Sequence, residues 1–300
     1  MNASILINNY NYGRYLGSAI DSALSQNHAP TEVVVVDDGS TDNSREVIAG
    51  YGDRIRVVLK ENGGQASAFN AGFAACRGEV ICFLDSDDYF HANKVQEVVG
   101  AMSANPDAGW VFHPVCRLFN DGQTCVTPPI ADRMLIDHRS AAIRGRLPGP
   151  PGPVTSGMSL SKTLLGDILP IAEEIRITAD NYLKFLAAAL SPGVYLRDAL
   201  AVQRLHGDNL YTMGRDRIVE ARIHLLIADN MRLRQPALAR LSNHIFARSF
   251  GLYAAAQRRD AFCETIIRRF FRATAFLDLP DLILRASYHT VRRRLAKESL

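Results

Sequence analysis

The chain lacks long apolar runs: nowhere in its 300 residues does a stretch approach the ~18 uninterrupted apolar residues of a membrane-spanning helix. Its start, Met1-Asn2 leading straight into a short strand, has no basic region followed by a long hydrophobic segment, so neither export nor membrane insertion is expected. Cysteine is scarce as well. Cys76, Cys82, Cys116, Cys125 and Cys263 form no CxxC pair and no His/Cys ligand spacing, which argues against a zinc site or a disulfide framework and for reduced thiols in the cytoplasm. An excess of charge of one sign is nearly absent, since a net +3 is too small to argue for a nucleic-acid partner. Against these absences, 47% hydrophobic residues suffice for one large core or two modest ones, and nothing suggests disorder.

What is present is a repeated alternation of apolar strands and helices. Ser4-Ile5-Leu6-Ile7 reads as a buried strand that breaks into the polar loop Asn8 to Gly13, before Leu16, Ile20, Ala23 and Leu24 recur at helical spacing. Glu32 to Val36 is a β-branched strand breaking into Asp37-Asp38-Gly39-Ser40-Thr41-Asp42, whose polar side chains can cap the next helix. Ile55 to Leu59 is a third strand, followed by Asn62-Gly63-Gly64 and an Ala-rich helix over 65–75. The fourth, Val80 to Leu84, is apolar throughout and opens abruptly into Asp85-Ser86-Asp87-Asp88. Strands separated by helices of this length imply right-handed crossovers and a largely parallel sheet, whose ligands bind beyond the strands' carboxyl ends. All four polar breaks fall there. If extended geometry persists past Leu84, Asp85 and Asp87 point to the same side and can share one divalent cation; hard oxygen ligands favour Mg2+ or Mn2+.

The order Asn-Tyr-Asn (9–11), Val-Val-Asp-Asp-Gly-Ser-Thr-Asp (35–42), Asn-Gly-Gly (62–64) and Leu-Asp-Ser-Asp-Asp (84–88) resembles the family 2 inverting glycosyltransferases, of the nucleotide-diphospho-sugar-binding fold called GT-A. The resemblance covers roughly residues 1 to 115 well, is weaker to about 210 and is absent beyond. It implies a Rossmann-like α/β catalytic domain over 1–212, with a nucleotide-sugar-binding half (1–115) and an acceptor-binding half (116–212), and a helical extension over 213–300. It implies that Asn8, Tyr10 and Asp38 contact the base, that Asn62, Gly64, Asp85 and Ser86 line the donor, and that Asp85 and Asp87 hold the ribose and a Mn2+ or Mg2+ ion. The first loop reads Asn-Asn-Tyr-Asn where Pro-Thr-Tyr-Asn is common, a departure that bears on the choice of base.

Further along, Lys94 to Ala104 reads as a helix burying Val95, Val98, Val99 and Met102, and Trp110 as core. The glycine- and proline-rich stretch Gly145 to Gly157 is either a surface linker or a loop at the acceptor entrance. Thr178 is expected to cap a helix running to Leu190, with Asp180 in its first turn. The resemblance makes Asp180 the catalytic base, with Ala179 standing where the family carries Glu. It also makes His206, in Arg204-x-His-Gly-x-Asn209, a neighbour of the diphosphate or metal, and suggests a flap over the nucleotide at Tyr211 to Gly214. Residues 258–300 carry ten basic against five acidic side chains, interleaved with apolar ones; they are basic amphipathic helices that contact an anionic membrane or pack as a cap on the catalytic domain.

The expected activity is transfer of a sugar from a nucleotide-diphosphate sugar, a UDP-sugar, to a saccharide or lipid-linked saccharide in surface polysaccharide or glycan synthesis, in the cytoplasm at the inner face of the membrane. Three alternatives stay open. A sugar-nucleotide pyrophosphorylase would show a Gly-rich phosphate loop after the first strand, where Asn8 to Gly13 has one glycine. A phosphate-accepting signalling domain would place its acid pair after the first strand rather than the second. A non-catalytic sugar-nucleotide-binding protein would keep the donor residues without turnover.

Overall fold

The structure, a computed structural model, describes residues 1–119, 122, 124–126, 134–146, 152–207, 216–256 and 258–298. The chain forms two compact units, Met1–Asp137 with Pro150–Asn209 and His138–Gly149 with Leu210–Leu300. The second unit thus takes in residues 138–149 as well as the C-terminal stretch.

The first unit opens with β1 (Ala3–Asn9), α1 (Gly13–Leu24), β2 (Thr31–Asp38), α2 (Ser44–Ala49), β3 (Arg56–Lys60), α3 (Gln65–Ala75) and β4 (Val80–Asp85). It continues through β5 (Tyr89–Phe90), α4 (Lys94–Ala104), β6 (Trp110–Phe112), β7 (Cys116–Phe119), β8 (Thr124–Val126) and β9 (Met134–Ile136). After α5 (Arg139–Ile143), which belongs to the second unit, come β10 (Met158–Ser161), α6 (Lys162–Ile168), α7 (Asp180–Leu190), β11 (Gly193–Tyr195) and β12 (Ala201–Leu205). The main sheet runs β3-β2-β1-β4-β10-β6-β11-β9, and a smaller one runs β5-β12-β7-β8.

Strands β3, β2, β1 and β4 are mutually parallel, with Asn8 opposite both Val36 and Asp85. Their carboxyl ends therefore share one edge of the sheet. Both faces of β1, β2 and β4 are covered, which is why these strands read as unbroken apolar runs rather than alternating ones. Val95, Val98, Val99 and Met102 of α4 are buried as expected, and Trp110 is core, packed against Phe112 with ring centroids 4.4 Å apart. Strand β10 joins antiparallel between β4 and β6, so the sheet is mostly parallel at the end where the acids lie and mixed beyond it.

The second unit adds α8 (Arg217–Arg234), α9 (Ala239–Ala255), α10 (Ala261–Ala273) and α11 (Leu279–Glu298) to α5, bearing out the expected helical extension. Phe246 of α9 stacks on Phe270 of α10 with centroids 3.9 Å apart. Asp229, buried in α8, pairs with Arg269 of α10. Helices α9 and α11 cross at Gly251, where a β-carbon would sit 2.9 Å from the His289 backbone; a larger residue there would force them apart. No helix of the described residues is long and apolar enough to cross a membrane.

Candidate active site

The four strand ends are laced to one another by their own polar side chains. Asn8 Nδ2 donates to Asp85 Oδ1 at 3.1 Å, joining β1 to β4. Asn9 Nδ2 donates to Asp37 Oδ1 (3.0 Å) and to Ser40 Oγ (3.1 Å), joining β1 to β2. Asn11, at φ 60°, accepts from Thr41 N at 2.7 Å, and Asp42 accepts from Gly13 N and Ser44 N, so the expected cap of α2 comes from Asp42.

Asp38 is the hub of the third connection. Its Oδ1 accepts from Lys60 Nζ (2.7 Å) and Gly63 N (2.9 Å), and its Oδ2 from Gly64 N (2.7 Å) and Asn62 Nδ2 (3.2 Å). A carboxylate has about four acceptor sites, and internal donors fill them all. Asp38 thus shapes the 62–64 loop, beside an open depression of about 470 Å³ lined by Gly39, Arg45, Leu59, Lys60, Glu61 and Asn62. Tyr10 stands exposed on the first loop.

The 62–64 loop in turn holds the segment before α7. Gly64 (φ 87°) lies so close to Arg176 that a β-carbon would come within 2.6 Å of its carbonyl oxygen. Gln65 N donates to Arg176 O at 2.8 Å, and the Arg176 guanidinium contacts Asn62 Oδ1. Gln65 Oε1 accepts from Ala179 N at 2.8 Å, supplying from outside the cap expected of Thr178. That expectation is corrected: Thr178 has φ 48°, its side chain caps nothing, and α7 begins at Asp180 with Ala179 at the cap position.

The acidic cluster also departs from the extended geometry expected past Leu84. Strand β4 ends at Asp85, and Asp88 N donates to Asp85 O at 3.0 Å, closing a turn over 85–88. The turn, not strand alternation, gathers the acids, with Ser86 buried within it. Burial first, then the neighbouring Asp87 and Asp180 carboxylates, push the Asp85 carboxyl up to about 7. Burial also raises Asp87, partly offset by His206, and raises Asp88 well above the usual carboxylate range with help from Asp87 and Asp85. Asp180, almost a hundred residues away in sequence, is therefore near enough to act on Asp85 electrostatically. Its Oδ2 accepts from Lys184 Nζ at 2.7 Å, and Lys184 also donates to Pro153 O at 3.1 Å.

His206 Nε2 lies 3.2 Å from Asp87 Oδ2, and its ring stacks on Tyr15 with centroids 4.6 Å apart. Arg204 fixes this strand by donating to Asp87 O (3.0 Å) and Ser18 Oγ (2.6 Å), while its backbone N donates to Asp88 Oδ1 (3.1 Å). The end of the glycine- and proline-rich stretch forms the floor. Thr155 donates its side-chain hydroxyl to Asp85, Ser156 Oγ donates to Asp88 Oδ2 at 2.6 Å, and fully buried Lys94 donates to Ser156 O at 3.2 Å. The segment over 152–157 is thus part of the site rather than a free linker, while the flap expected at 211–214 lies outside the described residues.

Among the described residues no three or more His, Cys, Asp or Glu side chains enclose a metal ion by themselves. The donor set nonetheless fits Mn2+ or Mg2+, which are held by one or two carboxylates and completed by water and substrate phosphates. Asp87 with His206, and Asp85 beside them, offer that open arrangement, and crowded carboxyls raised together are what a cation relieves.

The sequence profile described as Glycosyl transferase family 2 matches residues 4–144. An uncharacterized glycosyltransferase of Nostoc sp. is 37% identical over 214 residues, 70% of this chain and 66% of its own. Through these residues the chain belongs to glycosyl transferase family 2. Over 96 residues, 31% of its length, this family 2 member is also 45% identical to the chondroitin synthase of Pasteurella multocida, of which they make up 10%. The chain thus spans just under two thirds of the Nostoc relative and much less of the synthase.

Solved structures give the GT-A fold. A crystal structure of S. aureus TarS (residues 1–349) in complex with UDP-GlcNAc matches with a TM-score of 0.70 at 16% identity, covering 100% of this chain and 92% of that one. The mannosyltransferase PcManGT of Pyrobaculum calidifontis, in complex with GDP-Man and Mn2+, matches with a TM-score of 0.52 at 16% identity, covering 98% of this chain and 86% of that one.

Sequence reasoning missed Lys60, Gln65, Lys94, Thr155, Ser156, Arg176 and Lys184. Only Lys184 left a local signal, at i+4 from Asp180 on one helix face. The others reach the site across long sequence separations.

Proposed function

We propose that this family 2 member transfers a sugar, with inversion, from a nucleotide-diphosphate sugar to a saccharide or lipid-linked saccharide acceptor in surface polysaccharide or glycan synthesis. The observation that carries the reading is the meeting of Asp85, Asp87 and Asp180. Acids at the strand ends face an acid at the start of a helix, and the three are close enough for Asp87 and Asp180 to raise Asp85. A UDP-sugar is the favoured donor because the TarS complex, bound to UDP-GlcNAc, is the nearer of the two neighbours described. The reaction is placed in the cytoplasm, at the inner face of the membrane.

Asn8 holds Asp85, and Arg204 with His206 holds Asp87, so the two carboxylates are oriented before any ligand arrives. Asp87, with Asp85 and His206, would hold a Mn2+ or Mg2+ ion, which supplies charge neutralisation for the departing nucleoside diphosphate. Asn62, Gly64 and Ser86, with Asn8 and Tyr10, would line the donor. Asp38 acts through the 62–64 loop that it shapes. Asp180 takes the proton from the acceptor hydroxyl as that oxygen attacks the anomeric carbon from the face opposite the leaving group. Lys184 occupies one of its oxygens and leaves the other to meet the acceptor. A single displacement of this kind inverts the anomeric centre.

A nucleotide-release assay over a panel of nucleotide sugars and acceptors tests the proposal. One UDP-sugar should support release, a chelator should stop it, and NMR of the product should show inverted configuration. Asp180→Asn should abolish transfer while leaving donor affinity within about twofold. Undiminished turnover by Asp180→Asn would sink the assignment, and donor binding without release under all conditions would favour a non-catalytic binding protein.

A further inference from the structure

The helical unit carries an apolar surface that its own packing does not use. Helix α11 turns Leu282 and Ala286 inward, both buried. On its opposite side Leu284, Tyr288 and Val291 are 70%, 59% and 56% exposed. Their spacing, i, i+4 and i+7, puts them on one face of the helix. Ile283 and, just before the helix, Phe276 at 84% are exposed too, so five of the sixteen large apolar side chains that stand exposed among the described residues fall within 276–291. A helix that is apolar on two opposite sides covers a neighbour with one and has something else to meet with the other.

Charge decides what that is. From 279 to 300 the sequence holds Arg285, Arg292, Arg293, Arg294 and Lys297 against Asp281 and Glu298, and Arg285 is paired with Asp281 at 2.7 Å. The excess is therefore concentrated in the last turns, beyond Val291. Two copies of this helix laid face to face would bring those cationic turns together or leave them without acidic partners. An anionic lipid surface meets both requirements, accepting apolar side chains below the headgroups and arginine at their level. Tyr288, with an apolar ring and a polar tip, suits that boundary.

We propose that the Leu284–Tyr288–Val291 face of α11 lies on a membrane surface bearing anionic lipid, with the arginines at the end of the helix meeting the headgroups. This deepens the proposed setting at the membrane but needs no part of the transferase chemistry, and its test requires no turnover. The full chain is sedimented with vesicles of pure phosphatidylcholine and of phosphatidylcholine containing phosphatidylglycerol, over a range of salt concentrations. The wild type should bind only the anionic vesicles, less so as salt rises. Leu284→Ser with Tyr288→Ser should weaken binding at least tenfold, because two partly buried side chains are lost from the lipid. Arg292→Ala with Arg293→Ala and Arg294→Ala should weaken it on the order of 100-fold, at about 1 kcal/mol per residue. Leu284 and Tyr288 are exposed, so the first variant should keep the wild-type melting temperature. Equal binding to neutral vesicles, no binding, or variants that bind like the wild type would each overturn the proposal. So would a wild-type dimer in solution that Leu284→Ser with Tyr288→Ser converts to monomer.

Discussion

Replacing Asp85 with Asn should stabilise the ligand-free protein at neutral pH while destroying its donor site. The folded structure raises the Asp85 carboxyl from 3.8 to about 7, a difference of about three units. At ~1.4 kcal/mol per unit, this amounts to roughly 4 kcal/mol as a ceiling, and to about 2 kcal/mol if partial solvent access halves it. The sign follows from which state holds the proton more tightly. Because the folded carboxyl binds it better than the unfolded one, the favourable contribution is full below pH ~4 and is lost as pH rises through about 7. Wild-type stability should therefore decline between pH 5 and pH 8 more steeply than that of Asp85→Asn, which cannot ionise and also relieves Asp87 and Asp88 of one like charge. Urea unfolding of both proteins at pH 5 and pH 8, without metal or nucleotide, measures this directly. The variant should gain about 1 to 3 kcal/mol on the wild type between the two pH values, the rest of the ceiling being lost below pH 5. An unchanged difference, or a variant less stable by the same amount at both, would mean that Asp85 is not a crowded buried carboxylate and would refute the electrostatic account.

Other perturbations separate support from chemistry. Lys184→Met removes a charge-assisted hydrogen bond to Asp180 and the link to the Pro153 carbonyl, so kcat should fall about 10- to 100-fold while the donor KM stays within twofold, read in steady-state kinetics. A larger change in KM than in kcat would remove Lys184 from its positioning role. Gly64→Ala places a β-carbon 2.6 Å from the Arg176 carbonyl at a φ few other residues adopt, and should cost at least about 2 kcal/mol in urea unfolding and weaken donor binding. Wild-type stability in that variant would show that the 62–64 loop can move freely against the segment before α7.

The parallel half of the fold was legible because burial on both faces of β1, β2 and β4 leaves runs such as Val33 to Val36 that few other environments demand. The acids were legible for the same reason: an abrupt switch from apolar to charged marks a strand end opening to solvent. What sequence spacing misjudged was local. Asp85 and Asp87 come together through a turn closed by the Asp88 amide rather than through strand alternation. Thr178 reads as a cap by type, yet the cap arrives from Gln65, more than a hundred residues earlier. Lys94 marks only the start of a helix in the sequence, whereas it is buried against Phe90 and the Ser156 carbonyl and is held down to about 8 by burial. For Gly145 to Gly157 the choice between a surface linker and a loop at the acceptor entrance stayed open, because glycine and proline signal irregular backbone without signalling what it touches. Side chains such as Asn8 and Asp38 read as ligand contacts and in the fold carry bonds to other parts of the protein, since a strand end must satisfy its own polar groups before it can serve a ligand.

The proposed transfer requires that the carboxylates at the ends of the parallel strands hold a nucleoside diphosphate together with a divalent cation. Titration calorimetry of UDP into the wild type and Asp87→Asn, each with Mn2+ and with chelator, tests it most directly. Binding should be seen only with Mn2+ present, and should weaken at least tenfold in Asp87→Asn. UDP that binds equally well without metal, or equally well to the variant, would contradict it.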